Sequence, residues 1–208
     1  MLLTLLQELN AKYEHERIVV IDDGSDYNAK PYLKLCDYHR LEHNGKEKFY
    51  VNWSYCFALC EDSCDDFFMF LPDDFSNIDC ARINTIYETN KELYAYNLLN
   101  DGRPPFWTSV KPRSVTVAGI KSIQTSYVDG GYFTNRRTLE KISFIQDYVI
   151  PSRFAFPNIS SGVGETQSRK YWINGIPMYI PEKSMCYHGT HDSVMHYELR
   201  KRQPLISI

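Results

Sequence analysis

Apolar positions along the chain fall into short blocks separated by polar turns, and their spacing predicts alternating helices and strands. Leu at 2, 3, 5, 6 and 9 recurs at helical intervals, so residues 2–10 form an amphipathic helix. The β-branched run at 17–21 predicts a buried strand ending in the Asp22-Asp23-Gly24-Ser25 loop. Residues 31–37 open with proline and predict a short helix. Phe49, Trp53, Phe57 and Cys60 mark one side of a helix over 46–61. A second buried strand at 67–71 stops at Pro72-Asp73-Asp74. A helix at 78–89 and a strand at 93–99 follow. Helix and strand therefore alternate through the first half, which predicts a layered α/β domain with a mostly parallel, Rossmann-like sheet.

The second half is less regular. Residues 102–113 contain three prolines and read as a loop, and 115–128 alternate loosely, enough for one or two strands. Gly130-Gly131 breaks the chain before a helix starting near Thr138. A helix over 162–174 is stopped by Gly175, and 177–181 form a short strand. With no internal repeat and no linker, residues 1–208 read as one domain.

Composition narrows the function. A net charge of −3 and a pI near 6.1 argue against a protein whose whole surface grips nucleic acid, while leaving room for a local basic patch. Sixteen tyrosines among 14% aromatics suit a binding cleft for sugars, bases or protein. No apolar stretch is long enough to span a membrane, and the opening leucines lack a basic flank and a cleavage site, so a cytoplasmic protein with reduced thiols is expected. Cys56, Cys60 and Cys64 share one face of a helix; packing explains them better than a soft-metal site does.

The chemistry concentrates in two acidic pairs, Asp22-Asp23 and Asp73-Asp74, each just past a predicted buried strand. In open α/β sheets, ligands bind at that edge. Vicinal carboxylates repel unless a cation or a donor shares them. Mg²⁺ or Mn²⁺ takes carboxylate oxygens and carries phosphates, so a cation-bound diphosphate is the natural ligand. Neither the P-loop nor the dinucleotide glycine motif is present.

With these residues in place, the chain resembles the GT-A glycosyltransferases, family 2-like. IVVIDDGS from Ile18 and FMFLPDDF from Phe68 look like its nucleotide and metal–diphosphate strands. Val128-Asp129-Gly130-Gly131-Tyr132-Phe133, then Arg136-Arg137-Thr138-Leu139, look like its glycine segment near the donor sugar. Gly164-Glu165, then IPMYIPEKSMCYH ending at His188, look like its acidic helix, strand and late histidine.

The resemblance implies a GT-A-like three-layer α/β/α sandwich and a nucleotide-diphosphate sugar donor. Residues 1–100 would form the nucleotide-binding half and 101–208 the acceptor and catalytic half. Asp22, Asp23 and Ser25 would meet the nucleotide, and Gly130, Gly131 and Asp73 the donor sugar. Asp74 and His188 would hold Mn²⁺ or Mg²⁺. Glu165 would serve as the base, with Asp129 as substitute, and Trp107 would stack on the acceptor.

Three departures stand beside this. The family's opening strand is missing, because Met1 already begins the helix; either the chain starts late or it binds donor poorly. Pro72 takes the first place of the usual Asp-x-Asp. Thr166 follows Glu165 where inverting members carry Asp, which leaves inverting and retaining routes open. Lys111, Arg113, Arg136, Arg137 and the basic 200–202 tail suit a phosphate-bearing acceptor, and HGTHDSVMH looks like some phage-encoded members. Hydroxymethylated DNA is therefore one acceptor candidate, beside glycan, lipid-linked sugar and protein. A catalytically inactive relative that binds nucleotide sugar or glycan is the alternative.

Overall fold

Leu5, Leu6 and Leu9 form the buried stripe of α1 (Leu2–Lys12), as their spacing predicts. The computed structural model describes residues 2–13, 16–26, 28–44, 49–100, 111–128, 130–145 and 163–189. After α1 come β1 (Val19–Asp22) and β2 (Asp37–Arg40), which pair in parallel as a two-stranded sheet. The predicted helix at 31–37 is replaced by turns, closed by Tyr32 N–H donating to Ala29 and Leu35 N–H donating to Tyr32, which then enter β2.

Next are α2 (Phe49–Asp62), β3 (Phe67–Phe70), β4 (Phe75–Ser76), α3 (Cys80–Thr89) and β5 (Ala95–Asn97). Asp79 caps α3 by accepting from the Arg82 N–H. The loosely alternating stretch is a hairpin, β6 (Arg113–Val117) and β7 (Ile120–Thr125). Its two-residue turn, Ala118-Gly119, has both residues at positive φ, +50° and +79°, the geometry whose twist matches a hairpin. β8 (Tyr132–Asn135) runs into α4 (Arg136–Lys141), capped by Asn135, and then a short 3-10 turn at Ser143–Ile145. α5 (Val163–Ile173) is closed near Gly175, at φ +68°, and is followed by β9 (Met178–Pro181) and β10 (Tyr187–His188).

The class is α/β, but the sheet is not the mostly parallel one expected. Its six strands run in the order β3-β8-β5-β9-β7-β6, and only β5–β9 is a parallel pair. The reason is β8. Its residues sit where the sequence predicts a glycine break before a helix; instead they insert antiparallel between β3 and β5. All four residues of β8 are buried, so no polar alternation marks the strand. β3, β5, β9 and β6 nevertheless share one direction, because each is related to the others through an even number of antiparallel steps.

Alternation along the strands divides the core in two. Phe67 and Met69 pack with Leu5, Leu9, Ile83, Ile86 and Phe133, against α1 and α3. Phe68 and Phe70 pack with Phe57, Tyr132, Leu139 and Tyr171, against α2, α4 and α5. Helices therefore cover both faces of the six-stranded sheet. Truncating a fully buried ring such as Phe57 costs about 3–5 kcal/mol. Among the described residues, no helix is long and apolar enough to cross a membrane.

Candidate functional site

The two acidic pairs were expected on one edge of one sheet. They lie in separate sheets, with different surroundings. Asp74 immediately precedes β4, which pairs antiparallel with β10 so that Phe75 faces His188. Gly189 N–H donates to the Asp74 carbonyl at 2.8 Å, and His188 Nε2 lies 3.0 Å from Asp74 Oδ2. The Asp74 side chain is only 8% exposed, whereas Asp73 beside it is exposed. The Phe75 ring meets the His188 ring edge-on at 5.2 Å between centroids, which sets the imidazole's tilt.

Gly131 adjoins this pair for a steric reason. A Cβ there would fall 2.2 Å from Phe75 Cε2, so only glycine lets the Phe75 ring in. Gly130, at φ +67°, turns the chain through the left-handed region. Upstream, Val128 N–H donates to Ser168 Oγ at 2.9 Å, and Ser168 Oγ donates to the Gly164 carbonyl at 2.6 Å. This pins the first turn of α5, with buried Glu165 and Thr166, beside the segment leading to Gly130. Gly131 thus adjoins the Asp74–His188 pair through Phe75, and Ser168 ties the turn that carries Glu165 to Val128.

Asp22 and Asp23 are held differently. Asp22 Oδ1 accepts from the Ser25 N–H at 3.1 Å, and Oδ2 accepts from Tyr38 and from Arg40 Nε at 2.9 Å. Burial pushes the Asp22 carboxyl up, but the bonds from Ser25, Tyr38 and Arg40 outweigh it and hold the group below its ordinary value. Asp22 thereby shapes the loop from within. Asp23 Oδ1 accepts from the Asn44 N–H at 2.8 Å, and His43 Nδ1 lies 2.8 Å from the Asp23 carbonyl. Gly24, at φ +72°, packs so closely that a Cβ would sit 2.6 Å from the His43 nitrogen.

α2 bridges the two regions. Asn44 donates to Asn52 at its start, and Trp53 stacks on Tyr132, the neighbour of Gly131, at 6.2 Å and 10°. Trp53 is accordingly a core residue, as its spacing suggests. Cys56 and Cys60 pack against the core as well, and burial pushes both thiols up to about 12.

Two of the arginines expected near a phosphate-bearing acceptor, Arg136 and Arg137, are committed elsewhere. Arg136 donates to the carbonyls of Cys60, Ser63 and Asp65, closing the end of α2 where β3 begins, across the sheet from Asp74. Arg137 donates to the Lys91 carbonyl. Both close carbonyls left open by turns and helix ends. A cavity of about 550 Å³, lined by Asn90, Glu92, Thr116, Gly175 and Tyr179, opens at that same far end and includes none of the candidate site residues. Asp129, Trp107, His191, His196 and the 200–202 tail lie outside the described residues.

Sequence reasoning missed Tyr38, Arg40, Asn44 and Ser168. Ser168 carried a usable signal, four residues after Gly164 on one helix. Tyr38 and Arg40 also share a strand face, but their polar strand hid the period.

Compared with known proteins, the chain matches no family model and no curated protein.

Proposed function

We propose that this protein is a metal-dependent glycosyltransferase that uses a nucleotide-diphosphate sugar, on a GT-A-like fold. The observation that carries the reading is the Asp74–His188 pair, with Gly131 packed against the Phe75 ring beside it. Two adjacent ligands on an octahedral cation with bonds near 2.1 Å are about 3 Å apart. The 3.0 Å between Asp74 Oδ2 and His188 Nε2 fits that spacing. The carboxylate suits Mn²⁺ or Mg²⁺, and the imidazole beside it favours the softer Mn²⁺, with diphosphate oxygens completing the shell. The shared direction of β3, β5 and β9 supports the GT-A-like reading, because it aims the Asp74 loop and the segment after β5 at one end of the sheet.

In this reading Asp74 and His188 hold the cation, which supplies charge neutralisation to the leaving diphosphate. Asp73 and the two glycines border the donor sugar. Asp22 keeps the β1 loop in shape, and Asp23 and Ser25 meet the nucleoside. Glu165 takes the acceptor hydroxyl proton, with Asp129 as the substitute. The acceptor is a glycan, a lipid-linked sugar or hydroxymethylated DNA; the hydrogen bonds of Arg136 and Arg137 to backbone carbonyls remove one support for DNA.

The test incubates the protein with a panel of nucleotide sugars and Mn²⁺ and measures released nucleoside diphosphate. Slow Mn²⁺-dependent release from one donor is expected. Binding of a donor without release, even with the acceptor classes supplied, makes the protein an inactive binding relative. Neither binding nor release overturns the reading.

A further inference from the structure

Glu8 stands on α1, between the buried positions Leu5 and Leu9, yet its carboxylate serves another element. Oε2 accepts from the Asn77 N–H at 2.8 Å and Oε1 from the Ile78 N–H at 2.6 Å. Lys12, one helical turn on, donates to Glu8 at 2.7 Å and to the Ile78 carbonyl at 2.6 Å. Two successive amides and the following carbonyl are thus gripped from one helix face. Asn77 has φ +52°, a left-handed conformation held here by that grip.

This turn ends β4, the strand that starts directly after Asp74. On its other side, Asp79 N–H donates to the Met185 carbonyl at 2.7 Å, and Arg82 donates to the Lys183 and Ser184 carbonyls. Those residues lead into β10 and His188. The register that brings His188 to Asp74 is therefore set by a turn with two anchors, one on the approach to β10 and the other on Glu8.

We propose that Glu8 is a positioning residue for the Asp74–His188 pair: its carboxylate fixes the turn that ends β4 and so sets where Asp74 meets His188. The metal-binding consequence rests on the function proposed above; the geometric one does not. The competing possibility is that Glu8 merely tethers α1.

The experiment compares Glu8→Ala and Glu8→Gln with Leu9→Ala, which loosens α1 but keeps Glu8. Hydrogen exchange is read at two amides of the full chain. Gly189, bonded to the Asp74 carbonyl, reports the pair; Ala95, bonded to the Pro177 carbonyl, reports the sheet. Glu8→Ala should speed exchange at Gly189 by about tenfold relative to Ala95, with a smaller selective effect in Glu8→Gln. Leu9→Ala should move both amides together. Affinity for Mn²⁺ alone should fall about tenfold in Glu8→Ala, the usual scale for a residue supporting a ligand, and less in Leu9→Ala. The proposal is overturned if Gly189 merely tracks Ala95 in Glu8→Ala, or if Leu9→Ala reproduces the selective loss. If the wild-type protein takes up no Mn²⁺, the metal reading fails, and Gly189 exchange alone decides the role of Glu8.

Discussion

Asp22-Asp23 closes β1 and Asp73-Asp74 follows β3 after Leu71-Pro72, and the fold uses these two identical dipeptides differently. Asp22 is bound by neighbours in its own small sheet, Tyr38 and Arg40, and by the Ser25 amide three residues on. Asp74 meets His188, which arrives on β10 from the far end of the described chain. Local donors stabilise a loop. A histidine brought across the fold to a buried carboxylate is the pair proposed above to hold the cation. Identical dipeptides therefore need their partners identified before they mean anything chemical.

The largest expected effect sharpens this contrast on the Asp74 side. Glu165→Gln keeps shape but removes basicity. Transfer should fall by about two to four orders of magnitude while donor affinity survives. Steady-state and single-turnover rates with whichever donor the panel identifies check this; turnover near wild type would move the role to Asp129 or to a retaining route. An equivalent Asp22→Asn change should leave the chemical step within about threefold, the range expected of a residue outside the reacting atoms.

A middle-sized effect compares the glycines. Gly131→Ala must displace the buried Phe75 ring and should cost about 1–3 kcal/mol, with loss of Mn²⁺ binding. Gly24→Ala meets the His43 backbone and also has positive φ, so a similar stability loss is expected, but with Mn²⁺ affinity kept. Thermal melts beside Mn²⁺ titrations separate the two. Equal Mn²⁺ loss in both variants would erase the distinction between the loops.

The smallest effect is in acid stability. Because the Asp22 carboxyl lies below its ordinary value in the fold, its contribution is full above the unfolded value of about 3.9 and fades as pH falls through the folded one. Asp22→Asn should cost about 1 kcal/mol at neutral pH, a figure kept low because the Arg40 side chain is 40% exposed. Below that window the variant and the wild type should converge. Denaturant midpoints measured from pH 7 down to about pH 2 will show this; a constant gap at every pH contradicts it.

How far the sequence could be read depended on whether a local pattern carried the information. β1 and β3 are apolar, and each ends in an acidic turn, so both were legible. α5 and its Gly175 stop were legible for the same reason. β2 is Asp-Tyr-His-Arg and offers no apolar period, so a proline-led helix was expected in its approach instead. β8 is buried throughout and overlaps the cap of α4, so its place between β3 and β5, and with it the antiparallel sheet, was invisible. The acidic pairs are proposed from their place past predicted strands and the other candidates from resemblance, but their supporting contacts were not legible. Glu8, Tyr38, Arg40 and Ser168 act through contacts between elements whose pairing no window of sequence contains.

The central claim is that Asp74 and His188 form a cation site for a nucleoside diphosphate. The most direct measurement is calorimetric titration of nucleoside diphosphates with and without Mn²⁺ into the wild type and Asp74→Asn, which keeps the shape of Asp74 and removes its charge. One nucleoside diphosphate should bind the wild type in a Mn²⁺-dependent way. In the variant the Mn²⁺ dependence should vanish, a loss of about 100-fold, with the melting temperature nearly unchanged. Unchanged Mn²⁺-dependent affinity in Asp74→Asn, or no Mn²⁺ dependence in the wild type, would contradict the account.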